Sequence, residues 1–146
     1  MCSSDLTLDG FDTHANQPDA HAGLLRQWSE ALSAFLKRLE EAGEQDRVLV
    51  MTFSEFGRRV AENASLGTDH GAAAPMFFAG PVSPKLIFGS DPDLSDLEDG
   101  DVRYRTDFRS VYAAVLENWF AADSRKALDG DYRQAGRELG LFESKT

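Results

Sequence analysis

Val48-Leu49-Val50-Met51-Thr52-Phe53 is the stretch on which the fold reading turns. It is a continuous apolar run of strand length, without the alternation of a strand that faces water on one side. A strand apolar on both faces is typical of a parallel sheet covered by helices. The segment before it supports this. From about Pro18 to Ala42, Leu25, Trp28, Leu32, Phe35, Leu36 and Leu39 recur at spacings of three and four, which predicts one amphipathic helix. Pro18 suits its start and Gly43 its stop. Arg26, Glu30, Lys37, Arg38, Glu40 and Glu41 lie off the stripe and should be solvated. A helix, a short acidic loop and then a two-faced apolar strand read as an α/β unit, so the expected fold class is α/β with a mostly parallel sheet. Ser54 to Arg59 sits just past the strand's C-terminal end, the edge at which open α/β sheets bind ligands.

Downstream, Val60 to Leu66 reads as a polar loop. Pro75 to Ala79 reads as a short strand, with Lys85 to Phe88 able to pair near it. The acidic segment Asp91 to Asp101 fails the spacing of an EF-hand and reads as a solvated loop. Thr106 can cap a second helix, whose stripe is Phe108, Val111, Tyr112, Val115, Leu116, Trp119 and Phe120. After Asp123 the chain reads as a polar turn region, with Leu139, Leu141 and Phe142 able to tack the tail down. Upstream, Thr7 to Phe11 reads as a strand end. Residues 1–6 show neither periodicity nor a cap. They read as a non-native joint onto the interior of a larger protein, the plainer alternative being a frayed terminus. Residues 7–146 are then expected to form part of a single domain.

The 146 residues can bury a real core, and 42% hydrophobic with 27% charged residues is a globular composition. A formal net charge of -10 argues against nucleic acid as a partner, because an acidic surface repels phosphate backbones. It leaves room for a small anionic substrate at a local cation. Cys2 is the one cysteine, so cysteine-based zinc frameworks and an intrachain disulfide are excluded. No apolar run is long enough to span a membrane, and no signal peptide opens the chain.

Chemistry concentrates in two short motifs, Gly10-Phe11-Asp12-Thr13-His14 and Gly67-Thr68-Asp69-His70-Gly71. Each places a carboxylate beside an imidazole, and such ligands suit Zn²⁺ or a related divalent ion. In an extended backbone Asp12 and His14 point to the same side, so one ion can take both, or each can serve one ion of a close pair. Asp69 and His70 are adjacent and would diverge in a regular strand, but the flanking glycines relax the backbone. The alternative is turn and capping chemistry only. His21, the third histidine, reads as a partly exposed helix residue. Glu55 reads either as a carboxylate orienting a ligating imidazole or as a surface acid. Arg58 can grip a phosphate or sulfate oxygen through its planar fork, with Asn63 donating to the same anion; otherwise Arg58 is a solvated arginine. Arg109 can reach the sheet edge or pair with Asp107, and the structural ion pair is the favoured reading. Ser54 and Thr68 lie near the motifs, but nothing local marks either as an activated nucleophile.

Four ordered stretches carry a wider resemblance: Gly-Phe-Asp-Thr-His-Ala-Asn-Gln (10–17), Ser-Glu-Phe-Gly-Arg (54–58), Glu-Asn-Ala-Ser-Leu-Gly-Thr-Asp-His-Gly (62–71) and Arg-Thr-Asp-Phe-Arg-Ser-Val-Tyr (105–112). From Asp9 to Phe142 the chain resembles the bacterial family known as domain of unknown function 1501. That family looks like a branch of the alkaline phosphatase and sulfatase superfamily. The resemblance implies a three-layer α/β/α fold with a large parallel sheet, alkaline phosphatase-like and here truncated at the N-terminus. It implies a divalent metal centre at the sheet's C-terminal edge, with Asp12 and His14 as one ligand group and Asp69 and His70 as another. Zinc is the first choice of ion, with calcium or manganese as alternatives. Full-length members resemble exported proteins, which implies a periplasmic or secreted location. They carry an N-terminal Gly-Gly-Asn-Asp type motif, with another ligand and the nucleophile region, that this chain lacks. The chain would then be the metal-binding portion of a phosphatase- or sulfatase-like hydrolase, incomplete for catalysis. The competing expectation is a non-catalytic exported module that keeps the fold and the ion.

Overall fold

The structure, a computed structural model, describes residues 3–142. Met1 and Cys2, which belong to the segment read as a non-native joint, lie outside the described residues. The chain divides into two compact units, residues 3–80 with 93–103, and residues 81–92 with 104–142.

The first unit is organised by helix α1, Gln17–Ala42. Pro18 stands in its first turn, and the helix ends at Gly43 with φ 68°, whose N–H donates to Glu40 O. Trp28, Leu32, Leu36 and Leu39 are half-buried, whereas Leu25 and Phe35 are exposed. The covered stripe is therefore narrower than the apolar spacing suggests. Trp28 packs against Phe77 at 5.0 Å between ring centroids. A 3-10 turn, Gln45–Arg47, leads to β1, Val50–Met51, which pairs antiparallel with β4, Phe78–Ala79. Between them, β2, Gly57–Glu62, and β3, Thr68–Gly71, form an antiparallel hairpin with Arg58 opposite His70 and an irregularity between Arg58 and Glu62. Last come β5, Leu97–Glu98, and β6, Asp101–Val102, joined by Asp99 and Gly100. Both turn residues have positive φ, 52° and 87°, as an Asp-Gly two-residue hairpin requires.

The second unit is helical: α2, Phe108–Asn118, α3, Ser124–Leu128, and α4, Arg133–Leu139. Its core is Val111, Ala113, Ala114 and Val115 of α2 together with Leu141. Small residues let α2 and α4 approach closely. A Cβ added at Gly136 would stand 2.7 Å from Ser110 O and 3.1 Å from Ala114 N. Three Asp-x-Arg steps recur here. Asp107, Asp123 and Asp131 each accept the backbone N–H two residues on, and each pairs with that residue's guanidinium.

Several expectations are overturned. Among the described residues there are four α-helices and three two-stranded antiparallel ladders, with no parallel pair. This is not a three-layer α/β/α sheet protein and not an alkaline phosphatase-like fold. The physical reason lies in the deciding stretch. An apolar run specifies burial, but the partner strand comes from elsewhere in the chain. Val48 to Phe53 yields only two strand residues, pairs antiparallel and is at most half-buried, with Phe53 63% exposed. Val60 to Leu66, read as a loop, begins inside β2, and Lys85 to Phe88 forms no strand. The helix cap is Asp107 rather than Thr106, and the region after Asp123 holds two short helices. No helix among the described residues is long and apolar enough to cross a membrane.

Candidate metal centre

The Asp-His motifs meet in the first unit through the loop between β2 and β3. Asn63 organises that loop. Its Oδ1 accepts the N–H groups of Ser65 (2.9 Å) and Gly67 (3.1 Å), and its backbone N–H donates to Gly67 O (2.8 Å). Leu66 is held at φ 60°, a region β-carbon sterics make costly for leucine. The loop then docks on the start of α1. Asn16 N–H donates to Ser65 O (3.0 Å) and Gln17 N–H to Leu66 O (2.9 Å), satisfying donors that a helix start leaves without intrahelical partners. Gln17 ties both motifs together: its Nε2 donates to Thr13 Oγ1, and its Oε1 accepts from Thr68 Oγ1, each at 2.9 Å. Gly67 makes the contact possible, because a Cβ there would overlap the carbonyl of His14 and stand 2.7 Å from Ala15 N.

This brings together side chains that are far apart in sequence. Asp12 Oδ1 lies 2.7 Å from His70 Nε2 and 2.9 Å from His14 Nε2, and the two Nε2 atoms are 3.2 Å apart. Asp12, His14 and His70 form a group whose ligand atoms all lie within 4.8 Å of one another. All three are exposed, with side-chain exposures of 63%, 47% and 45%. Zinc bonds of about 2.0–2.1 Å at tetrahedral angles put ligand atoms about 3.3 Å apart. To hold an ion of that kind the edges of 2.7, 2.9 and 3.2 Å would have to open by about 0.6, 0.4 and 0.1 Å. The hydrogen bond from His70, helped by the imidazoles and Arg58, holds Asp12 below the usual aspartate value, so its oxygen is a charged donor at neutral pH.

The other expected residues take different places. Asp69 Oδ1 lies 3.5 Å from His14 Nδ1, on the ring nitrogen that does not face the triad, and accepts from Asn63 Nδ2 at 3.2 Å. That hydrogen bond, with the one from His14, lowers its pKa. Asn63 Nδ2 also donates to His14 O at 3.0 Å. Arg58, 18% exposed, donates through its two terminal nitrogens to Thr68 O and Phe11 O, both at 2.6 Å, and stands 3.7 Å from Asp12 Oδ1. Its fork thus ties one motif to the other. Glu55 is exposed in the bend before β2. His21 is half-buried on α1, edge-on to Phe11 at 5.7 Å. Arg109 pairs with Asp107 at 2.6 Å. Sequence reasoning missed Gln17 and Phe56. Phe56 stacks on His70 at 3.7 Å with the rings 5° from parallel. Both lie in stretches that carry the family resemblance, 10–17 and 54–58, and that was the available signal.

The described residues form helices and short antiparallel ladders, and the first unit carries an open cluster of two imidazoles and one carboxylate. The family model described as Protein of unknown function (DUF1501) matches residues 4–126, and the chain belongs to that family. No curated protein and no solved structure matches the chain.

Proposed function

We propose that this chain is the metal-binding portion of a metal-dependent hydrolase of small phosphate or sulfate esters. One divalent ion is held by Asp12, His14 and His70. The observation that carries the reading is the convergence of those three ligand atoms on an open surface. Two imidazole nitrogens and one carboxylate oxygen are a zinc donor set, whereas calcium and manganese favour more oxygen, so zinc is the ion of choice. Structural zinc sites are closed by four protein ligands; catalytic ones take three and leave a position for substrate or water. A divalent ion held there supplies a Lewis acid for an ester oxygen.

The chain's own residues hold and orient. Phe56 fixes the plane of His70, and Arg58, Gln17 and Asn63 hold the two motifs in register. Neither Arg58 nor Asn63 is assigned a substrate contact, because their donors are directed at Phe11, Thr68, His14 and Asp69. No nucleophile is assigned either. The Thr13 and Thr68 hydroxyls are bound to Gln17, and Ser54 Oγ donates to Phe56 O. These commitments also favour a second reading, a non-catalytic module that keeps the ion.

Calorimetric titration of chelator-stripped protein with zinc tests the site. One ion per chain is expected, and His14→Ala with His70→Ala should abolish it. Folded wild type that takes up no zinc overturns the reading. Turnover of aryl phosphates or sulfates that requires His14 selects the hydrolase. Zinc-dependent thermal stability without turnover selects the module.

A further inference from the structure

We propose that Asp69 is a positioning residue and not a metal ligand: it holds the proton of His14 on Nδ1, so that the Nε2 lone pair faces Asp12 and His70. The inference rests on the metal-centre reading and divides the four Asp-His residues into three ligands and one orienter.

The geometry separates the roles. Asp12 Oδ1 and His70 Nε2 face His14 Nε2 at 2.9 and 3.2 Å, whereas Asp69 Oδ1 faces His14 Nδ1 at 3.5 Å. The two ring nitrogens of an imidazole point to different sides, so one metal ion cannot use Nε2 of His14 and also take Asp69 through the carboxylate oxygen lying against Nδ1. A carboxylate on the non-ligating nitrogen is the arrangement that sets tautomer and ring orientation in metal sites. Asp69 is itself aimed. Asn63 Oδ1 accepts two backbone N–H groups, from Ser65 and Gly67, which determines the orientation of the amide. Its Nδ2 must then be the group facing Asp69 Oδ1 and His14 O. A chain of order runs from the β2–β3 loop through Asn63 and Asp69 to His14. Without it, an Nε2–H tautomer of His14 would direct its proton toward His70 Nε2, and the cluster would be an ordinary hydrogen-bonded group with no converging lone pairs.

The test uses the whole chain, ¹⁵N-labelled, first free of metal and then loaded with zinc or cobalt. Long-range ¹H–¹⁵N correlation reads the tautomer directly. Wild-type His14 is expected to carry its proton on Nδ1, and Asp69→Ala to shift the ring toward Nε2–H, with the amide spectrum showing that the fold persists. Zinc affinity by chelator competition should fall about 10–100-fold in Asp69→Ala. Asp69→Asn, which keeps an acceptor, should recover part of that loss. Asn63→Asp keeps the loop acceptor but removes the donor, and should lie between wild type and Asp69→Ala. The cobalt spectrum of Asp69→Ala should keep the wild-type ligand set, whereas Asp12→Ala should lose a ligand. A cobalt spectrum in Asp69→Ala that changes as Asp12→Ala does overturns the proposal, and so does a wild-type His14 protonated on Nε2. Failure of wild type to bind either metal sinks the metal-centre reading instead, while the metal-free tautomer still decides the role of Asp69.

Discussion

Gly67→Ala should damage the candidate metal centre without removing any of its side chains. The new Cβ would overlap the carbonyl carbon and oxygen of His14 and stand 2.7 Å from Ala15 N. The obstacles are backbone atoms, so no side chain can swing aside. Reaching ordinary contact, about 3.4 Å or more, requires the loop to recede by roughly 0.7 Å from Ala15 and further from His14. That shift takes three bonds past hydrogen-bonding range: Asn16 N–H to Ser65 O (3.0 Å), Gln17 N–H to Leu66 O (2.9 Å) and Asn63 Nδ2 to His14 O (3.0 Å). At about 0.5–1.5 kcal/mol each, their loss costs about 1.5–4.5 kcal/mol. Keeping the bonds and absorbing the overlap costs about 1–3 kcal/mol. The chain takes the cheaper course, so the expected destabilisation is about 1–3 kcal/mol, which lowers the urea midpoint by about 0.5–1.5 M at a slope of about 2 kcal/mol per M. His14 recedes from His70, so zinc affinity should fall at least about tenfold, equivalent to about 1.4 kcal/mol. The control is Gly23→Ala, where the added Cβ meets nothing within 4 Å inside α1. It should stabilise by about 0.5–1 kcal/mol and leave zinc binding unchanged. Gly67→Ala with a wild-type midpoint and wild-type affinity would refute the claim that this close approach joins the two motifs.

The remaining expectations concern residues other than the proposed ligands. Glu117 accepts the backbone N–H and hydroxyl of Ser124, which is fully buried, so Glu117→Ala should cost about 1–3 kcal/mol in chemical denaturation. Those same bonds, the backbone one first, lower the pKa of Glu117 below its ordinary 4.5. Its contribution is therefore complete above that value and lost as pH falls through the depressed one, and Glu117→Gln should flatten the acid limb of a stability–pH curve. Arg58→Lys cannot reach Phe11 O and Thr68 O together, and should lose about 1.5–3 kcal/mol together with zinc affinity, both read on one sample. Gly136→Val places carbon against Ser110 O and Ala114 N, and should lower stability by about 1–3 kcal/mol while sparing zinc binding.

Features whose physics is local were legible. Helix α1 follows from residues three and four apart and from Pro18 and Gly43, and the structure starts and stops it there. The existence of α2 was legible for the same reason, but its stripe only in part: Val111 and Val115 are buried, whereas Phe108 is 57% exposed, Trp119 and Phe120 lie past the last helical residue, and the core also takes Ser110, Ala113 and Ala114. What failed was pairing. The run Val48 to Phe53 reports a preference for burial, and that preference is met by one half-buried antiparallel contact with Phe78–Ala79 as well as by a parallel sheet. β2 was invisible because only Gly57 in it is buried, so no apolar alternation marks it. Asp99-Gly100 was the missed turn signal: read as part of an acidic loop, it closes a two-residue hairpin. The Asp-x-Arg steps at 107, 123 and 131 went unread because ion-pair chemistry was considered at the first alone.

The candidate site survives the loss of the expected sheet because its geometry never depended on one. Sheet-edge sites draw ligands from the ends of several parallel strands. Here two pieces suffice: the segment running into α1, which supplies Asp12 and His14, and β3 of the hairpin, which supplies His70. Their register is set by Asn63, Gln17 and Arg58, polar side chains directed at the backbone or hydroxyls of the opposite motif. On the proposed assignment, the adjacent pair divides between a ligand and an orienting residue. Asp69 and His70 are adjacent in a strand, so their side chains leave on opposite sides. His70 turns to Asp12 and His14 Nε2, and Asp69 turns to the loop, where Asn63 and His14 Nδ1 receive it. On that proposal, the strand alternation that made the pair look awkward as a double ligand lets it serve one site in two roles.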